Sequence, residues 1–470
     1  MAPFLPLAPG SITDVSTTLP SAALVWDTLT LQAGFNSTSV ILGTTFLGTA
    51  AGIVGCFSLL RKRALVGDAL AHCTLPGLAV AYLCSHFAGL EGKNLVALLS
   101  GATIFGLLGV LAIQLITHHT RIKEDAAIGS VLSCFFGLGI LLLSVIQSVG
   151  SGSAGGLAHF IYGQTAALSR SDSFVTLILA LGATLCAILF IKEFRLVCFD
   201  REFAATQGWP VQGIDILLMT LVVLVTVIGL QSVGLLLIVA LLIIPAASAR
   251  FWTERLNVMT VLAGAIGGLS GYFGAITSSL IPRMPAGAII VLVAGALFIF
   301  SFLFAPRRGV LAGGWRMLSL RIQVAIDHLL RELYEALERE GEVNEKAVPV
   351  LNLRSYRQWS IPFRVLLKSL LQFRRILLVS PDSKTLSLTP NGIVKATQLI
   401  RNHRLWEQYL LTYGRVASSH VDYSADLVEH ILSGEVVREL EAALKAKGRL
   451  PAGSSTPLSS VHPIEVEGAR

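Results

Sequence analysis

Asp68 and His72 stand four residues apart inside a long apolar run, so on a helix they lie on one face, a turn apart. A carboxylate oxygen beside an imidazole nitrogen suits a borderline divalent cation such as manganese, iron or zinc. Two ligands do not close a coordination shell, so the remainder has to come from another helix or a second subunit. The same residue types return late in the chain: His403 with Glu407 at i, i+4, and Asp426 with Glu429 and His430 at i, i+3 and i+4. Spacing alone leaves ordinary alternatives open. Asp68 is also placed to cap a helix start after Arg63, His72 to be a core histidine, and the later residues to form a solvated face.

The elements that position these residues belong to two different solvents. Of 470 residues, 53% are apolar and only 14% charged, against roughly one charged residue in four for an ordinary globular chain. Up to residue 310 there are fifteen Lys or Arg and twelve Asp or Glu, about 9% of that part; the remainder holds twenty-one and seventeen, about 24%. A simple soluble protein is excluded. Hydrocarbon about 30 Å thick needs about 20 apolar residues of helix. Nine runs qualify, near residues 36–60, 65–86, 94–117, 126–148, 173–192, 213–231, 233–250, 257–279 and 286–305. Asp68 is the carboxylate that stands well inside one of them. No Lys or Arg precedes Arg61, so the basic start of a cleavable signal is lacking. The six cysteines all lie in the apolar part without CxxC pairing, which argues against a disulfide framework or structural zinc.

Basic residues alternate between loops: Arg61, Lys62, Arg63, Arg121, Lys123, Lys192, Arg195, Arg201, Arg250, Arg255, Arg307 and Arg308 on one side, Lys93, Arg170 and Arg283 on the other. The positive-inside bias then predicts a multi-pass protein of the plasma (inner) membrane, with residues 1–33 an extracytoplasmic tail and everything after Arg308 cytoplasmic.

The stretch Leu60-Arg61-Lys62-Arg63-Ala64-Leu65-Val66-Gly67-Asp68-Ala69-Leu70-Ala71-His72, followed by Leu75-Pro76-Gly77, closely resembles the signature of manganese/zinc/iron-type ABC transporter permeases. In that resemblance Asp68 and His72 belong to the translocation-path metal site, and Ala71 stands where the family usually has Ser. Asp200-Arg201-Glu202-Phe203-Ala204-Ala205-Thr206-Gln207-Gly208 looks like the short coupling helix that rests on the ATPase subunit, with Asp200, Glu202, Phe203, Ala204 and Gly208 as its matching residues. Pro245 and Met284-Pro285-Ala286-Gly287 fit the same family, and the resemblance spans residues 34–308. It implies a transport subunit, not an enzyme. No phosphate-binding Walker loop occurs in the sequence, so ATP hydrolysis is expected from a separate ABC ATPase. The other implied partners are a second permease chain, identical or paralogous, and an extracytoplasmic metal-binding protein.

A short Gly-containing linker at 309–316 leads to a cytoplasmic domain at 317–447, and 448–470 reads as a Pro/Ser/Gly-rich tail. An amphipathic helix is predicted from Met317 to Arg339, and Ile376 to Thr389, interrupted by Pro381-Asp382-Ser383-Lys384, reads as two short strands around a turn. Helices followed by a small hairpin suggest a winged helix. Leu388-Thr389-Pro390-Asn391-Gly392, Leu399 to Glu407 and Ala425 to His430 are similar to the diphtheria toxin repressor family of metal-dependent regulators. By that resemblance His403 and Glu407 match one metal site, and Asp426, Glu429 and His430 the other. Asp422 stands where many relatives have His, and Pro362 departs from the usual recognition helix, so possible DNA contact reduces to phosphate contacts. The expectation is therefore an α-helical polytopic ABC importer permease of about nine transmembrane helices, carrying a mainly α, winged-helix-like domain. A divalent metal is both its substrate and its regulatory ligand, and the chain binds no nucleotide. A membrane-tethered or proteolytically released transcriptional regulator is the alternative.

Overall fold

Apolar runs of this length satisfy their own backbone groups only as helices, and each of the nine expected runs contains one. The structure, a computed structural model, describes residues 21–32, 34–61, 64–88, 95–148, 170–232, 234–281, 284–339, 347–353, 359–382, 384–413 and 434–446. After a short helix α1 (Ala22–Leu29) come α2 (Phe35–Leu60), α3 (Ala64–Phe87), α4 (Leu95–His119), α5 (Glu124–Ser148), α6 (Arg170–Leu189), α7 (Ile191–Phe199), α8 (Arg201–Thr206), α9 (Val211–Ser232), α10 (Leu235–Trp252), α11 (Leu256–Leu280) and α12 (Ala286–Phe304). Among the described residues seven helices are long and apolar enough to cross a membrane, or eight if the pair α6 and α7, bent by 63°, is one span. The ninth expected span is α10, a shorter apolar helix. Gly234, at φ +96°, separates it from α9.

Lipid tails are as apolar as leucine, so membrane helices associate through close fit and not through a hydrophobic driving force between them. Helices α2 and α11 meet backbone to backbone. A Cβ on Gly48 would stand 2.2 Å from the Gly267 carbonyl oxygen, one on Gly52 2.1 Å from that of Ala263, and one on Gly271 2.2 Å from that of Thr44. The Thr44 hydroxyl donates across the same seam to the Gly271 carbonyl at 3.3 Å. Helix α3 is held in the same way: Gly77 faces the Gly101 carbonyl of α4, while Gly139 of α5 packs on Leu75 and Pro76. Leu47, Phe57, Leu70, Val222, Leu241 and Ile290 belong to the single large apolar cluster behind these contacts.

The chain divides into two units, residues 1–313 and 314–470. In the second, α13 (Val310–Arg339) begins before the amphipathic pattern does, and buries Ile326, Leu329, Leu330, Leu333 and Leu337 at helical spacing. Helix α14 (Ile361–Phe373) accepts Pro362 in its first turn, where a missing N–H removes no helix bond. The expected hairpin forms as β2 (Leu377–Val379) and β3 (Thr385–Leu388), numbered after β1 (Val348–Pro349), which pairs antiparallel with β3 and was not foreseen. The sheet order is β1-β3-β2. Helices α15 (Pro390–Tyr413) and α16 (Gly434–Ala446) are joined by the Arg401–Glu441 ion pair at 2.6 Å. Hydrogen bonds from Lys445 and Arg401 hold the Glu441 carboxyl below its usual range.

The α2–α11 seam predicts a sharp contrast between two glycines. Gly267→Ala places a Cβ 2.1 Å from the Gly48 carbonyl oxygen, so the helices must part, and a loss of about 1–3 kcal/mol is expected from such overpacking. Gly295→Ala meets nothing within 4 Å and leaves stability unchanged or slightly raised. Thermal unfolding of the two variants in one detergent measures the difference; equal melting temperatures would show that the close approach carries no weight.

Candidate functional site

Asp68 and His72 both lie on α3, with Asp68 beyond the first turn of the helix, so it is no N-cap. Their side chains face each other, His72 Nε2 to Asp68 Oδ1 at 3.6 Å. That is too long for a hydrogen bond. It is close to the ~3.4 Å between two ligands about 2.1 Å from one tetrahedral ion. The pair is neither sealed nor fully open: the Asp68 side chain is 40% exposed and that of His72 18%. Around it Val66, Ala69, Leu70, Ala71 and Cys73 are buried, which fixes the helix rotation. Phe136 of α5 meets the imidazole edge to face, ring centroids 4.9 Å apart. His72 Nδ1 is buried without a hydrogen-bond partner. An orphaned buried nitrogen costs about 1–3 kcal/mol, a cost that a structural histidine would not carry.

The expected coupling segment is a helix, α8. Asp200 caps it, its Oδ1 accepting from the Phe203 N–H at 2.9 Å. Ala204 is buried and seats the helix, whereas Glu202 and Phe203 point outward, Phe203 being 51% exposed. Gly208 turns the chain at φ +80°, a conformation that favours glycine, and the exposed Trp209 follows. A small convex knob with one aromatic tip results.

Behind that knob lies a link that was not foreseen. Asp215, near the start of α9, has a side chain only 4% exposed and accepts from Arg61 Nη2 at 2.9 Å, while Arg61 Nη1 donates to the Val197 carbonyl at 3.1 Å. The residue that ends α2 therefore ties α7 and α9 together on either side of the coupling helix. Asp68 was expected to be the carboxylate well inside a span; Asp215 is the more deeply buried of the two, and its charge is balanced where that of Asp68 is left open. The signal available in the sequence was an acid just inside an apolar run following the coupling loop.

In the second unit His403 is buried on α15, and its Nδ1 lies 3.3 Å from Arg331 Nη1 of α13. Arg331 also faces Glu335, and Arg404 pairs with Glu338 at 2.5 and 3.2 Å. The Glu407 side chain, and Asp426, Glu429 and His430 entirely, lie outside the described residues. Among the described residues no group of three or more His, Cys, Asp or Glu is disposed to hold a metal ion. On α13, Asp327 is buried and accepts from Gln323 at 3.0 Å, and His328 borders a groove with Trp359 and Phe363.

Comparison with known proteins decides the family. Residues 36–305 match the ABC 3 transport family, more than half the chain. The chain belongs to that family. Residues 389–458 match the iron dependent repressor, metal binding and dimerisation domain. The manganese transport system membrane protein MntC of Bacillus subtilis is 40% identical over 430 residues, covering 91% of this chain and 96% of that protein, a match long enough to reach into both units. The zinc transport system membrane protein TroC of Treponema pallidum is 39% identical over 286 residues, 61% of this chain and 94% of that protein. Among solved structures, PsaBC from Streptococcus pneumoniae in complex with Fab aligns at 34% identity with a TM-score of 0.53, covering 64% of this chain and all of that one. In this ABC 3 transport protein the segments bearing Asp68, His72 and the coupling helix all fall within the matched region.

The buried link gives a prediction. Removing one partner, as Arg61→Ala or Asp215→Ala, strands a buried charge and is expected to cost about 3–5 kcal/mol, whereas the double variant Arg61→Met/Asp215→Leu regains most of it. Melting of the three variants in detergent checks this; single variants as stable as the parent would show the pair to be idle.

Proposed function

We propose that this chain is the membrane permease subunit of an ABC importer for divalent transition metal ions (manganese, zinc or iron(II)), with a C-terminal domain that senses the same class of ion. One observation carries the reading: a carboxylate and an imidazole, 3.6 Å apart on a membrane helix, part-exposed on the surface of a single chain. Ionisable groups do not face lipid at that depth without heavy cost; they face a polar conduit or a second protein. Asp68 and His72 then line the path between two permease chains, and the second chain supplies the ligands that a two-residue site lacks. Similarity to proteins named for manganese and zinc transport supports the metal class, and ligand chemistry does not divide its members.

The exposed Phe203 and Glu202, on a helix capped by Asp200, fit a groove on a separate ATPase, and an extracytoplasmic protein delivers the ion. Twelve basic residues against three orient the loops, putting the N-terminus outside and the C-terminal unit in the cytoplasm. There His403, Glu407, Asp426, Glu429 and His430 bind emerging metal and slow uptake, by favouring one state of the pore through differential affinity. Contact of helix α14 and its hairpin with DNA is the second reading, favoured by the helix-then-wing order.

Asp68→Ala and His72→Ala are each expected to reduce metal uptake by cells co-expressing the ATPase to background, with membrane insertion unchanged because no span is shortened. Near-normal uptake by either variant removes the site assignment. For the sensor, Asp426→Ala/His430→Ala is expected to keep vesicle uptake fast at metal concentrations that slow the parent. Equal rates for both reject feedback, and a manganese-dependent gel shift by the full chain then favours the DNA reading.

A further inference from the structure

Helix α13 has two halves of opposite character. From Ala325 onward it buries a regular apolar stripe in the core of its unit. Before that, Val310, Leu311, Trp315, Met317, Leu318 and Leu320 are all exposed, Trp315 by 73%. At 100° per residue Met317, Val310, Leu318, Leu311 and Trp315 fall within about 160° of one face, with Arg316 opposite; Leu320 falls off this face. A contiguous exposed face of this size on a helix marks a surface with a partner.

The chain itself says which partner. Helix α12 is a membrane span that ends at Phe304, and five residues later α13 begins. Those five are folded tightly: the Gly309 N–H donates to the Ala305 carbonyl and the Gly313 N–H to the Gly309 carbonyl, both at 2.9 Å. Arg308 is tied at 2.9 Å to Glu254, in the short loop between α10 and α11. Five residues reach at most about 18 Å even when extended, so the first turns of α13 start at the end of a span, where headgroups begin. On the span itself Ile299, Phe300, Phe302 and Phe304 of α12 are exposed. Along the chain Arg307 and Arg308 precede the apolar segment and Arg321 follows it, with no acidic residue between them. Apolar side chains with a tryptophan on one face, an arginine opposite and further arginines flanking the segment are the composition of a helix lying in a bilayer interface.

We propose that residues 310–320 form an interfacial helix that rests on the bilayer beside the last span, its apolar face toward the acyl chains and Arg316 toward water. The inference uses the span reading of α12 alone and does not depend on which ion is carried or which side of the membrane is involved. The test is Trp315 fluorescence in the full chain, in nanodiscs of phosphatidylcholine and phosphatidylglycerol with and without bromine near the headgroup end of the acyl chains. Trp315→Phe, a mild change at an exposed position, supplies the spectrum to subtract. Bromolipid is expected to quench most of the Trp315 contribution while aqueous acrylamide quenches little. Quenching by acrylamide instead would place the helix in water, and protection from both quenchers would mean that protein covers the face; either overturns the proposal. Because the readout needs no transport, its failure is separable from failure of the permease reading.

Discussion

Inside a bilayer, helices gain nothing by hiding leucine from lipid, so what holds this permease together has to be geometric fit. Glycine supplies it. At the α2–α11 seam Gly48, Gly52, Gly267 and Gly271 leave no room for a Cβ, and the helix backbones themselves form the contact. The same device fixes α3 against α4 through Gly77 and Gly101. Since α3 carries Asp68 and His72, its rotation decides whether they face lipid or a polar route. The glycine contact at Gly77 and the Phe136 edge on His72 set that rotation from two points along the helix. The placement of the proposed two-residue metal pair is thus a product of packing among residues that have no chemistry of their own.

The membrane unit handles Asp215 and Asp68 in opposite ways. Asp215 is neutralised by Arg61 and buried, a pair that adds little net stability relative to apolar residues but is costly to break. Its location explains its use: it joins the ends of α2 and α9 and, through the Val197 carbonyl, α7, the helix leading into the coupling knob. A displacement of α8 by an ATPase would therefore be passed to α2 and α9 as a unit, because stretching the pair would expose a charge. Asp68 has no such partner at bonding distance, and His72 keeps a nitrogen without one. The charge that ties the helices is closed, and the one in the proposed metal pair stays open.

Much of this was legible because the bilayer simplifies the code. Apolar runs of span length gave every membrane helix, and their ends fell within a few residues of Phe35–Leu60, Ala64–Phe87 and the others. Asp68 and His72 were visible as an i, i+4 pair, and the coupling helix through the resemblance of Asp200 to Gly208 to a family segment; that Asp200 caps the Phe203 N–H came from the structure. What stayed hidden depends on distance across the chain. The Arg61–Asp215 contact joins residues 154 apart, and no periodicity reports it. Among the described residues seven helices, or eight with α6 and α7 taken as one span bent by 63°, pass as crossings where nine were expected, and α10 after Gly234 is a shorter apolar helix. Strand β1 was missed because two residues, Val348 and Pro349, carry no alternation to detect.

The environment of His403 follows from donor chemistry alone. A guanidinium can only donate, so with Arg331 against Nδ1 that nitrogen must accept, and the neutral ring then carries its proton on Nε2. In that state the imidazole offers no free lone pair to a cation. An ion that takes Nδ1 has to displace Arg331, and one that takes Nε2 has to move the proton across the ring and so break the same contact. Either way, loading at His403 releases a cationic side chain of α13 that is also held by Glu335 on its own helix. Under the proposed sensing role, helices α13 and α15 would be linked by a contest between a tethered positive charge and a diffusible one for a single buried ring. Such an exchange has two distinct arrangements whose balance ion concentration can shift, which is the minimum a sensing element requires.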